Sequence, residues 1–235
     1  MKYFAITLAF LLSACATQPP KQNPTHSPDI ELLLTSAIKK LSIRNTNKAI
    51  IDFDKAIALC EDRFSNSEQK VYASRSQTET LFYMLTSYAD SISAIATDTV
   101  CSDALYGRGY ATLDLGKIDL AQTYIQRAID MAPVNSRYLS EMGHIIQTKR
   151  DWTKALEIFS QAEAAADTYS PKELKNMELA RAKRGVGYSL IELGRLDEAE
   201  IKFKECIDIN KDDKGALKEL EYIAQLRKNI SKSTK

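Results

Sequence analysis

The stretch Ser102–Asn135, SDALYGRGYATLDLGKIDLAQTYIQRAIDMAPVN, constrains this chain more than any other. Small residues stand at Gly109, Ala121 and Ala128, and Pro133 follows. The same frame returns at Gly143, Ala155 and Ala162, a shift of 34 residues (109 to 143). It returns again at Gly187, Ala199 and Cys206, and appears earlier at Ala37, Ala49 and Ala56. All of these but Cys206 are Gly or Ala, which together are a small minority of the composition. A fixed period of this size points to stacked helical units, because no single unit buries its apolar face alone.

Local chemistry agrees with paired helices. Ala121, Tyr124, Ile125, Ala128 and Ile129 recur at three- and four-residue steps, one face of a helix. Gly109 and Ala121 lack bulk, so two helix axes can approach to roughly 8–10 Å. Gly116 and Gly194 suit the left-handed residue that closes a first helix. Pro133 pushes Ala132 out of helical geometry and ends the second.

This spacing of small residues and proline resembles the tetratricopeptide repeat, a helix–turn–helix unit. The resemblance covers 102–135, 136–167 and 180–213, and extends to 30–63. It implies an all-α fold, a right-handed α-solenoid. Residues 64–101 fit it worst. Ser76 and Glu79 look like a capping box opening a helix that carries Leu81, Phe82, Met84, Leu85 and Tyr88. The flanks Lys70–Ser74 and Ile92–Val100 fit either a short strand or a frayed helix. The expectation is a degenerate repeat, with a small β-containing insert as the alternative. Residues 168–179, with Ser170-Pro171, read as a lengthened connection. Residues 214–228 read as a capping helix and 229–235 as a basic, disordered tail.

The chain begins with Lys2 and an apolar run, Tyr3 to Leu12, too short to span a bilayer but suited to a signal-peptide core. Leu12-Ser13-Ala14-Cys15 resembles a bacterial lipobox. That resemblance implies a leader at 1–14, lipidation at Cys15 and, with Ala16 next, an outer-membrane lipoprotein facing the periplasm. The plainer reading is ordinary cleavage and a spare cysteine. Residues 15–29 hold four of the six prolines and read as a tether.

At 235 residues with 44% hydrophobic and 27% charged residues, the chain can build a core and a soluble surface. A formal net charge of +1 argues against generic nucleic-acid binding, which needs many Lys or Arg on one face. No zinc-protease, paired-cysteine or phosphate-loop motif occurs, so neither metal nor cofactor is expected. His26 lies in the tether and His144 in a repeat. Gly107-Arg108-Gly109 and Gly185-Val186-Gly187 lack the third glycine of a dinucleotide loop and read as packing glycines. Cys206 stands where other repeats have alanine and reads as buried filler. Cys60 and Cys101, read as ending successive second helices, are either a disulfide in an oxidising compartment or two buried thiols.

The family resemblance places ligands on the concave face, lined by the first helix of each repeat. It implies a groove containing Tyr106, Tyr110, Arg137, His144, Arg181, Arg184 and Tyr188. Tyrosine and arginine dominate binding hot spots, and the arginines would suit an acidic or carboxylate-bearing peptide. The Lys–Asn clamp of chaperone-binding members is not carried over, because its positions hold Tyr106 with Tyr110, Ser140 with His144 and Arg184 with Tyr188. The alternative is that the aromatics complete helix packing and the arginines form a solvated face. The expected function is a non-catalytic adaptor for protein or peptide partners in envelope, pilus or secretion-system assembly or hydrolase docking. The competing expectation is an envelope enzyme or ligand carrier with a site in 64–101.

Overall fold

Helices pair wherever the small-residue frame recurs. The computed structural model describes residues 27–233. Its elements are α1 (Pro28–Ser42), α2 (Thr46–Phe64), β1 (Lys70–Ala73), α3 (Gln77–Ala89), β2 (Ala94–Thr97), α4 (Val100–Asp114) and α5 (Ile118–Met131). They continue with α6 (Ser136–Thr148), α7 (Trp152–Tyr169), α8 (Lys172–Glu192), α9 (Leu196–Ile209) and α10 (Lys214–Ser233). α1/α2, α4/α5, α6/α7 and α8/α9 are antiparallel pairs that stack in order into a helical solenoid, and α10 packs on the last pair. The leader at 1–14, Cys15 and His26 lie outside the described residues.

Every position of the frame is buried. Ala37, Ala49, Ala56, Ala121, Ala128, Ala155, Ala162, Ala199 and Cys206 are all at 0% exposure, and Gly109, Gly143 and Gly187 are buried beside them. The two Gly-x-Gly pairs have a specific reason. Numbered from its own start, each repeat sets a large residue at position 24: Phe53, Ile125, Phe159 and Phe203. A Cβ at Gly143 would meet the Phe159 ring at 2.7 Å, and one at Gly187 would meet Phe203 at 2.7 Å, both within the same repeat. Gly107 and Gly185 instead take the rings of the preceding repeats, Phe53 and Phe159. Where the preceding residue is the narrower Ile125, the matching position carries Glu141 rather than glycine.

The turn inside each repeat is left-handed at position 15. Gly116 and Gly194 have φ of +72° and +74°, and Arg44 and Arg150 occupy the same slot at 58° and 61°. Ala132 leaves the helical region at φ −139°, ψ 70°, ahead of Pro133.

Five expectations change. Residues 64–101 are not a degenerate helical pair. They contain β1 and β2, parallel from Lys70↔Ala94 to Ala73↔Thr97, joined by α3 as their crossover. Nor does α3 bury the face expected of it. Leu81, Leu85 and Tyr88 are exposed, and the buried stripe is Glu79, Tyr83 and Ser87. Ser76 caps α3 by accepting from the Glu79 N–H at 3.2 Å, but the Glu79 carboxylate reaches one residue further back, to the Arg75 N–H at 2.6 Å. The connection expected over 168–179 shrinks to Ser170 and Pro171, because α7 and α8 are each extended. The tail expected to be disordered is helical as far as Ser233. Finally, Pro28 and Asp29 belong to α1 rather than to the tether, since proline is accepted in a helix's first turn.

Cys60 of α2 and Cys101 in the first turn of α4 form a disulfide, with Cα atoms 5.7 Å apart. Cys101 thus opens a first helix rather than ending a second one. The bridge joins the two ends of the inserted segment and, in the chain-entropy view, contributes about 4 kcal/mol. Cys206 is the free, buried cysteine among the described residues.

Candidate functional site: a cavity across four helices

α4, α6, α8 and α10 follow one another as first helices, and a cavity of about 860 Å³ opens across them. α4 supplies Tyr110, Leu113 and Asp114, and α6 supplies Ser140, Glu141, His144, Gln147 and Thr148. α8 supplies Arg181, Arg184, Gly185 and Tyr188, and α10 closes the end with Gly215 and Glu219. Trp152, at the start of α7, stands with its ring centre 6.2 Å from that of Tyr188. Tyr110 and Tyr188 are 47% and 40% exposed, so their rings are open to a ligand.

Of the seven groove residues expected from the sequence, Tyr110, His144, Arg181, Arg184 and Tyr188 line this cavity, and Tyr106 and Arg137 do not. Tyr106 lies 5.1 Å from the fully buried Tyr138, ring over ring. The Arg137 guanidinium sits over both rings, 4.6 Å from Tyr106 and 5.3 Å from Tyr138. These two residues thus take part in packing between α4 and α6.

Each of the arginines already has a carboxylate partner within the chain. Arg137 pairs with Asp103, whose carboxylate also accepts from the Tyr138 hydroxyl at 2.8 Å. Arg181 donates to Glu141 at 2.5 Å, and Arg184 pairs with Asp213. Burial alone would weaken the proton affinity of Arg181, but Tyr106 and Glu141 more than offset it. Burial, then the Glu141 charge, pushes the Tyr106 hydroxyl up, so it stays protonated and faces Glu141 at 3.4 Å. Glu141 was not anticipated. It occupies a position normally filled by a packing residue, and nothing in the local sequence marks its partner 40 residues away.

Burial, then Glu192 and Glu219, raises the Tyr188 hydroxyl above its ordinary value. The cavity therefore offers aromatic faces, amide and hydroxyl groups, and carboxylates. Among the described residues, no group of three or more His, Cys, Asp or Glu is arranged to hold a metal ion, and no helix is long and apolar enough to cross a membrane.

A family model described as tetratricopeptide repeat matches residues 102–135 and 185–213. Anaphase-promoting complex subunit 3 of Schizosaccharomyces pombe is 29% identical over 106 residues, 43% of this chain. This chain spans 16% of that relative's length. Among solved structures, pilF of Pseudomonas aeruginosa aligns with a TM-score of 0.60 at 13% identity, over 86% of this chain and 70% of that one. MamA of Desulfovibrio magneticus RS-1, from residue 41 to its end, aligns at 0.56 and 14% identity, over 88% and 89%. At such identities the likeness is one of fold. Together with the recurring frame and the stacked pairs, it makes this chain a helical solenoid that carries tetratricopeptide repeats at 102–135 and 185–213.

Proposed function

We propose that the chain is a non-catalytic adaptor that holds a protein or peptide partner in the cavity across α4, α6, α8 and α10. The observation that carries this reading is the cavity itself: about 860 Å³, open, and lined chiefly by four alternate helices. Tyrosines exposed at such a site are the residue type that anchors partners at low entropic cost. A second cavity lies around Met177, Arg184, Asn210 and Lys214, and neither takes a lining residue from 64–101. The inserted segment instead fills its interior with Tyr72 stacked on Tyr83, ring centres 4.9 Å apart.

Residues Leu12 to Cys15 support attachment to the outer membrane through a lipidated Cys15, with the array facing the periplasm. The Cys60–Cys101 disulfide is consistent with such an oxidising compartment. Assembly of an envelope, pilus or secretion machine, or docking of a hydrolase, is the kind of work proposed. Radioactive palmitate should label the wild type and not Cys15→Ser; no label on the wild type contradicts the anchor.

Arg184 is a poor site for testing the groove, since reversing its charge would set it against Asp213 and disturb the seating of α10. The exposed tyrosines are better. The double variant Tyr110→Ala, Tyr188→Ala should fold and lose the partner that the wild type retains on affinity capture. Undiminished recovery contradicts the groove.

A further inference from the structure

We infer that the groove takes a basic peptide segment, presenting lysine or arginine side chains, rather than an acidic one. This rests on the reading of the cavity as a partner site. The sequence alone suggested the opposite polarity, because it shows arginines without showing what they touch. In the folded chain Arg181 is committed to Glu141 and Arg184 to Asp213. Asp114 and Glu219 also line the cavity, and among the described residues neither is paired with a lysine or arginine. Among the described residues Asp114 accepts a side-chain hydrogen bond only from the Thr46 hydroxyl, at 2.8 Å, and it stays solvent-exposed.

The groove thus carries uncompensated negative charge beside three aromatic rings, Tyr110, Trp152 and Tyr188. That combination suits a cation, which is drawn to ring faces and to carboxylates together. An anionic segment would meet Asp114 and Glu219 directly, and the charge of either arginine is already offset by its partner carboxylate.

The only tryptophan in the sequence lines the cavity, so occupancy reads directly on Trp152 emission. The full chain is titrated with a short peptide of alternating lysine and alanine, with its glutamate counterpart, and with spermidine. The lysine peptide should bind saturably, shift the emission and weaken by roughly tenfold in Asp114→Asn, Glu219→Gln, the loss of two partly exposed charge contacts. The glutamate peptide should not bind. If the glutamate peptide binds more tightly, and that binding is lost in Tyr110→Ala, Tyr188→Ala, the polarity is wrong but the groove stands. If spermidine matches the lysine peptide, the site takes a small amine and the peptide assignment fails. If lysine-peptide binding is unchanged in Asp114→Asn, Glu219→Gln, or neither peptide binds, the inference is overturned; the groove then depends on partner capture alone.

Discussion

Arg75 donates to Glu178 at 2.6 Å across 103 residues of sequence. The same guanidinium holds Glu79 through two donors, at 2.9 and 2.6 Å. Glu79 is fully buried and Glu178 nearly so, at 3%. Through this one cation the segment inserted between α2 and α4 is latched onto α8. Phe82 against Tyr169 of α7, 4.6 Å between ring centres, and the Val134 N–H ahead of α6, donating to the Tyr83 hydroxyl at 3.4 Å, tie the segment to neighbouring elements as well.

Removing the cation should cost far more than removing one anion. Arg75→Ala strands two buried carboxylates and is expected to lower unfolding free energy by about 3–5 kcal/mol. Glu178→Leu leaves Arg75 with Glu79 and should cost clearly less. Urea denaturation of both variants measures the difference, and equal costs would mean the three groups do not act as a unit.

Phe159 is held between Gly143 and Gly185, with a Cβ at Gly143 at 2.7 Å from its ring and one at Gly185 closer still. Because the ring is 4% exposed and flanked on both sides, it cannot move aside. Gly185→Ala should therefore destabilise by about 1–3 kcal/mol. In a Phe159→Ile background, which copies Ile125 of the preceding repeat, the alanine should cost less by at least about 0.5 kcal/mol. Additive costs in a thermal or urea double-mutant cycle would refute this packing rule.

Arg150 sits at φ 61°, in the slot that Gly116 and Gly194 fill in other repeats. The left-handed conformation strains a residue with a Cβ by roughly 1–2 kcal/mol, and glycine returns part of that gain as unfolded-chain entropy. Arg150→Gly should raise stability by about 0.5 kcal/mol and lift the melting temperature slightly. A lower melting temperature would mean the arginine side chain contributes more than its backbone costs.

Burial pushes the Cys206 thiol up to about 11, whereas an unfolded thiol ionises near ~8.5. The folded state therefore holds this proton more tightly than the unfolded state. Its contribution to stability is full below about pH 8.5 and is lost as pH rises toward 11. Cys206→Ala, which restores the residue of the other repeats, should flatten that part of the stability–pH curve. The same slope in the variant and the wild type would locate the titration elsewhere.

The frame was legible because one physical demand, close helix approach, repeats at Gly109, Gly143 and Gly187 with little else able to satisfy it. Gly116 and Gly194 announced the turns for a similar reason, and Pro133 the end of α5. The strands were not legible. Lys70–Ala73 and Ala94–Thr97 are four residues each, too short for a period to separate strand from frayed helix. α3 was misjudged because its core stripe includes Glu79, whose burial depends on Arg75 rather than on apolarity. The ion pairs of the groove arginines were not legible for a related reason. Asp103–Arg137 and Glu141–Arg181 join different repeats, 34 and 40 residues apart, and spacing within a repeat does not reveal them. The Ser170-Pro171 connection looked long because its charged neighbours gave no sign that both flanking helices simply continue.

The central claim, that the cavity between the first helices is where a partner sits, is tested most directly by photo-cross-linking in the native cells. One photoreactive residue replaces His144, exposed in the cavity wall, and in a second strain another replaces Lys204 on the outer helix α9. The account predicts a discrete protein adduct from position 144 and none from 204. Adducts from 204 alone, or none from 144 in cells where the chain retains its partner on capture, would contradict it.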